Sequence, residues 1–137
     1  MIKVTADTNI YVSALNFGGK PLQLLELARA GTIELATSNA IITEMSRILY
    51  NKFSWNRDDV GEAVNQILSF TKYVHPDLSF NAVPTDPDDN RVLECAVGAD
   101  SEVIVTGDTD LLALRNFRTI KIQNVSEFLA AFQARSR

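Results

Sequence analysis

The sequence predicts one α/β domain over residues 1–137, three layers deep, with a central parallel sheet of about 4–5 strands between helices. Short β-branched runs alternate with segments at helical spacing, the pattern of right-handed βαβ units. The strongest run, Val103-Ile104-Val105-Thr106, has no polar alternation and suits a strand buried on both faces. With 137 residues, 46% hydrophobic and 22% charged, the chain has the size and composition of one ordinary domain with a real core.

Each element follows in order. Ile2 to Ala6 reads as a strand ending at Asp7. Pro21 fits the first turn of a helix carrying Leu22, Leu24, Leu25 and Leu27, with Gly31 suited to its C-terminal cap. Ile33 to Ala36 is a second strand. Ser38 or Asn39 can cap a helix that puts Ile41, Ile42, Met45, Ile48 and Leu49 on one face. Val60, Ala63, Val64, Ile67 and Leu68 repeat that spacing, and Tyr73-Val74 makes a brief strand. A proline-punctuated connection runs from Pro76 to Pro87, long enough for a functional loop. Asp86 then resembles an N-cap with Pro87 at the first helical position, opening a helix through Val92, Leu93, Ala96 and Val97. Beyond the Val103–Thr106 strand, Leu111 to Leu114 looks helical and Ile120 to Ile122 is the last strand. Asn124 with Glu127 can open a final helix through Phe128, Leu129 and Phe132.

The composition removes several chemistries. No apolar run approaches the roughly 18 residues of a membrane span, and no signal-peptide pattern opens the chain, so a cytoplasmic location is the default expectation. Cys95 is the only cysteine, which excludes an internal disulfide and a cysteine zinc site, and it reads as a small core residue. His75 is the only histidine, so no histidine pair can run acid–base cleavage; it reads as a solvent-facing residue at a strand end. The chain lacks a nucleophile elbow, a P-loop and a dinucleotide fingerprint. A net charge of −4 argues against coating nucleic acid by electrostatics alone, but a cluster of metal-binding carboxylates would itself lower the count.

Carboxylates remain. Asp7 ends the first strand, and Asp108 follows the Val103–Thr106 strand with Asp110 two residues later. Parallel strands present their carboxyl ends at one edge, where ligand sites of open α/β sheets form. Asp89 falls in the first turn of its helix, and Glu44 lies roughly 40° outside the apolar stripe of its own. Each has a simpler role: strand-end aspartates cap helices, Asp86 reads as a cap outright, Asp88 as a solvated charge, and Glu44 can pair with Arg47 one turn on. Converging at one edge, however, such groups repel and must take up protons or bind a cation. An all-oxygen site suits Mg²⁺ or Mn²⁺. Spacing alone reaches a metal site and goes no further.

At these residues the sequence resembles the PIN-domain family. Asp7-Thr8-Asn9-Ile10 is similar to its first motif, and Glu44 falls at the second acidic position. Asp86-Pro87-Asp88-Asp89-Asn90, followed by Val92-Leu93-Glu94-Cys95-Ala96, resembles the third motif, with Asp89 at the metal-site position. Thr106-Gly107-Asp108-Thr109-Asp110-Leu111-Leu112 resembles the fourth. The likeness is strongest to small prokaryotic VapC-like members, which resemble the toxin of toxin–antitoxin pairs. It implies a Mg²⁺- or Mn²⁺-dependent endoribonuclease whose catalytic metal site is Asp7, Glu44, Asp89 and Asp108. Asp110 would be an additional ligand, and Asn9 and Thr106 would support the carboxylates or a water. A homodimer and an antitoxin partner are implied too, while the motifs leave RNA processing open as the role. Arg47, Lys20 and Arg115 stand near the motifs as candidates for holding flanking phosphates, although solvated surface charges are the simpler reading. Two rival functions are weaker. One is a non-catalytic RNA- or protein-binding module of the same fold. The other is a phosphatase with Asp7 as nucleophile, whose pattern asks for a second Asp where Asn9 stands.

Overall fold

The computed structural model describes residues 1–79 and 86–135. Its sheet is built from β1 (Lys3–Ala6), β2 (Glu34–Ser38), β3 (Lys72–Val74), β4 (Val103–Val105), β5 (Asn116–Phe117) and β6 (Ile120–Gln123), in the spatial order β3-β2-β1-β4-β6-β5. Neighbours pair in parallel except β5 and β6, which form an antiparallel edge hairpin. The sheet is therefore mixed, with six strands where about 4–5 parallel ones were expected. The added strand is two residues long, and its turn uses Arg118 at φ +57° rather than the Asn-Gly that announces tight hairpins.

The helices are α1 (Thr8–Phe17), α2 (Gly19–Arg29), α3 (Asn39–Asn51), α4 (Arg57–Phe70), α5 (Pro87–Gly98), α6 (Thr109–Leu114) and α7 (Val125–Arg135). Most begin or end as their residues dictate. Gly31 takes φ +76° just past α2, a left-handed conformation that glycine adopts without strain. Asn124 and Glu127 exchange hydrogen bonds of 2.8 and 3.0 Å as a capping box for α7. Helix α1 is an element the sequence pattern does not announce; only Gly18 stands between it and α2, with Gly18 and Gly19 both at positive φ. Among the described residues no helix is long and apolar enough to cross a membrane. The expected loop from Pro76 to Pro87 has its middle, 80–85, outside the described residues.

Alternation along the strands puts helices on both faces. Thr5 and Ala36 are paired neighbours on one face, and Thr5 Oγ1 lies 4.0 Å from Cys95 Sγ of α5. Thr37, one residue on, faces the other way toward Tyr11 of α1. The core between them includes Val4, Ala6, Leu93, Ile104 and Val105, all wholly buried. Cys95 is wholly buried too, as a core residue should be, while His75 is exposed just after β3 against the Tyr73 ring. On α5, Val92, Leu93, Cys95 and Ala96 are buried and the helix packs on β1, β2 and β4. At about 1.5–3 kcal/mol for a fully buried aliphatic side chain, that apolar anchor fixes the position of the acidic first turn.

Candidate metal centre

Chain direction reverses its lateral course at β1: the strands numbered 2 and 3 lie to one side and 4 and 6 to the other. The carboxyl ends of the adjacent strands β1 and β4 therefore flank the crevice where open α/β sheets bind ligands. Asp7 follows β1 there, buried, with its backbone N–H donating to Val105 O at 2.9 Å. Thr106 ties the two strand ends together. Its hydroxyl donates to Asp7 Oδ2 at 2.6 Å and accepts from the Asp108 backbone N–H at 3.0 Å, one hydroxyl serving in both directions. Asp108 caps α6, its Oδ1 accepting from the Asp110 N–H at 3.3 Å.

Helix α5 enters from the same edge. Asp86 caps it, accepting from the Asp88 N–H at 3.2 Å, and Asp89 in its first turn is 4% exposed. One carboxylate oxygen from each of Asp86, Asp89 and Asp108 lies within 4.8 Å of the other two. Such crowding moves acid strengths. Burial, then the contact with Asp108, then the charges of Asp108, Asp86 and Asp7 push the Asp89 carboxyl up to about 9. Asp7 is raised as well, by burial foremost; the Thr106 hydroxyl opposes this, Asp108 adds to it, and the backbone amides of Asn9 and Thr8 oppose it.

The donor set fits a hard divalent cation. Asp89 Oδ2 and Asp108 Oδ2 are buried oxygens with no hydrogen-bond donor. Two acceptor-only groups facing each other are unfavourable unless a proton or cation lies between them. Oxygen ligands without nitrogen or sulfur suit Mg²⁺ or Mn²⁺.

The remaining candidates lie further out. Glu44 is half-buried on α3 and is gripped by Arg47, whose Nε donates to Oε2 at 3.0 Å and Nη2 to Oε1 at 2.5 Å, so the helix-surface pair suggested by the sequence forms. Glu44 and Asp7 are both absent from the trio of carboxylates that meet, although the charge of Asp7 reaches Asp89, and that of Glu44 reaches Asp88, an exposed residue whose carboxyl is raised by partial burial, then Glu44, then Asp86. Asp110 is exposed and touches the cluster through its backbone N–H. Asn9 is exposed. Lys20 donates to Ser126 Oγ at 3.1 Å, and Arg115 is exposed just past α6. Asp86 is the residue that sequence reasoning under-read: it is the cap expected and also joins the cluster. Its spacing three before Asp89, one helical turn, was the available signal.

The PIN domain family model matches residues 3–110. An uncharacterized protein of Methanocaldococcus jannaschii, MJ1680, is 31% identical over 145 residues, covering 96% of this chain and 92% of its own length. Among solved structures, one from the complex VapBC2 of Rickettsia felis, bound to a DNA fragment from its promoter, matches with a TM-score of 0.66 at 16% identity over 90% of this chain and 98% of the other. VapBC-1 from nontypeable Haemophilus influenzae matches with 0.65 at 13% identity, over 91% and 99%. PAE2754 from Pyrobaculum aerophilum matches with 0.63 at 15%, over 97% and 90%. At such identities the structures speak for the fold, and the family match, running from β1 to Asp110, speaks for the lineage. The chain belongs to the PIN-domain family.

Proposed function

We propose that this protein is a divalent-metal-dependent endoribonuclease whose metal site is the acidic carboxyl edge of the sheet. The observation that carries the reading is the pair of donorless buried oxygens, Asp89 Oδ2 in the first turn of α5 and Asp108 Oδ2 just past β4, at the carboxyl edge of a PIN-domain chain. Asp89 and Asp108 would hold Mg²⁺ or Mn²⁺, with Asp7 kept in place beside them by Thr106. Bound divalent metal lowers the pKa of water and stabilises charge on the oxygens of a phosphodiester. The protein's own part is positional. Thr106 fixes Asp7 relative to Asp108, and the buried face of α5 fixes Asp89. Glu44 and Asp110 sit at the rim, where Arg47, already paired with Glu44, brings positive charge beside the carboxylates. A net charge of −4 on the free chain suits a site that depends on bound cations to accept a phosphate.

Two of the structural relatives come from VapBC assemblies, which supports an antitoxin-type protein partner and a toxin role for this chain. A homodimer is part of the same proposal. The test is cleavage of a mixed single-stranded RNA by purified protein with Mg²⁺, Mn²⁺ or EDTA, beside Asp7→Asn and Asp108→Asn. Metal-dependent cutting abolished by both substitutions is expected. Cutting that survives both would remove the carboxyl edge as the site.

A further inference from the structure

We infer that the cavity at the amino edge of the sheet, a strand's length from the metal centre, is a binding site for a nucleoside monophosphate. Its volume of about 610 Å³ lies in the range of small-molecule sites, roughly 300–1,000 Å³. Three cations line it: Arg118 from the β5–β6 turn, Lys121 from β6 and Arg135 from the last turn of α7. They outnumber its two acids, Asp100 and Glu102 from the α5–β4 connection, so the cavity is locally basic in a chain of net charge −4. No ion pair among the described residues ties Lys121 or Arg135 to a carboxylate. Opposite charges that share one cavity without pairing leave room for a ligand bearing both an anion and hydrogen-bond donors.

Each part of such a ligand has a counterpart. A phosphomonoester brings close to two negative charges and three acceptor oxygens, which suit the Lys121 ammonium and the Arg135 guanidinium. Ribose hydroxyls are donors. The Lys3 N–H holds Glu102 Oε2 at 3.0 Å, and the other carboxylate oxygen is left to accept from them. Ile2 and Val103 add apolar lining for the base, which bare phosphate would leave uncovered. The walls are fixed before any ligand arrives. Ser101 N–H donates to Ala96 O at 2.9 Å and Lys121 N–H to Glu102 O at 3.0 Å. Asp100 and Arg118 are both held in the left-handed region, at φ +53° and +57°, where residues other than glycine are uncommon.

The experiment is an amide NMR titration of the full chain in EDTA, which keeps the carboxyl edge free of metal, with 5′-AMP, 5′-UMP, adenosine and inorganic phosphate. A nucleotide is expected to shift the Glu102 and Lys121 amides and to bind at least about tenfold tighter than adenosine or phosphate, which lack the anion and the base respectively. Lys121→Gln and Arg135→Gln change exposed side chains, so melting should be unaltered while nucleotide binding weakens by about tenfold or more in each. Asp89→Asn, at the opposite edge, should bind as wild type does. Cleavage is not read, so this result stands or falls apart from the nuclease proposal. Neither nucleotide binding at millimolar concentration, or equal binding in wild type and both cation variants, overturns the site. Phosphate binding as tightly as the nucleotides would make it a bare anion site. A single-stranded RNA that binds far tighter than either nucleotide, and weakens equally in Lys121→Gln, would make it part of an RNA track. Either of these overturns the nucleotide assignment.

Discussion

The two edges of the sheet make opposite use of charge. At the amino edge, a cavity of about 610 Å³ is lined by Asp100 and Glu102 together with Arg118, Lys121 and Arg135, so both signs are present. Its backbone is knitted shut: Lys3 N–H donates to Glu102 Oε2 at 3.0 Å, Glu102 N–H to Lys3 O at 2.8 Å, and Lys121 N–H to Glu102 O at 3.0 Å. At the carboxyl edge, Asp7, Asp86, Asp89 and Asp108 bring one sign of charge together, and two of their buried oxygens have no donor. The roomy edge mixes both signs, and the crowded edge gathers four aspartates. Carboxylates of one sign crowded together, with the acid strength of one of them strongly perturbed, mark the chemistry better than volume does.

That contrast can be broken in order of effect. Asp89→Asn or Asp108→Asn should lower metal-dependent RNA cleavage by at least about 100-fold, since even groups that merely orient ligands cost 10–100-fold. Turnover of a fluorescent RNA measures this, and residual activity near wild type would place the site elsewhere. Next comes the metal itself. At about a hundredfold excess over its Kd, Mn²⁺ should add roughly 2.7 kcal/mol to stability, a melting shift of several degrees that EDTA reverses and Asp89→Asn lacks. A shift retained in Asp89→Asn would mean that the ion binds another region.

Thr106→Val, which frees Asp7 Oδ2 and the Asp108 N–H, should cost about 10–100-fold in cleavage with the fold retained. Full activity in that variant would show that Asp7 needs no such restraint. A subtler test concerns protons in the metal-free protein. Asp89 keeps its proton up to about 9 in the folded chain but only to about 4 when unfolded, so folding takes up a proton between those values. Stability in EDTA should therefore fall as pH rises through that window, and Asp89→Asn should flatten the fall. Urea midpoints at several pH values decide it, and parallel profiles for the two proteins would contradict the crowding. Smallest of all, Glu102→Ala at the amino edge should change stability by no more than about 0.5 kcal/mol and leave cleavage intact.

How far the sequence carries depends on how many residues report each feature. The parallel strands were legible because Val103 to Val105 is apolar throughout and Ile120 and Ile122 alternate with an exposed Lys121. The cap of α5 was legible from Asp86-Pro87, and that of α7 from Asn124 and Glu127. The two-residue β5 was not, since pairing to β6 rather than its own pattern creates it. Within the site, the positions of Asp7 and Asp108 follow from strand ends, which topology alone aligns. That Asp86 reaches Asp89 and Asp108 while Arg47 grips Glu44 does not. Helical spacing offered the Glu44–Arg47 pair, but the choice between that pair and a place in the cluster is made by side-chain contacts such as the Arg47 fork.

The most direct test of the carboxyl edge is an anomalous difference map from crystals grown or soaked with Mn²⁺. The account predicts a peak bounded by the carboxylates of Asp89 and Asp108, absent from Asp89→Asn crystals treated the same way. A map with no peak at that edge, or with its only peak among the mixed charges of the amino edge, would contradict it.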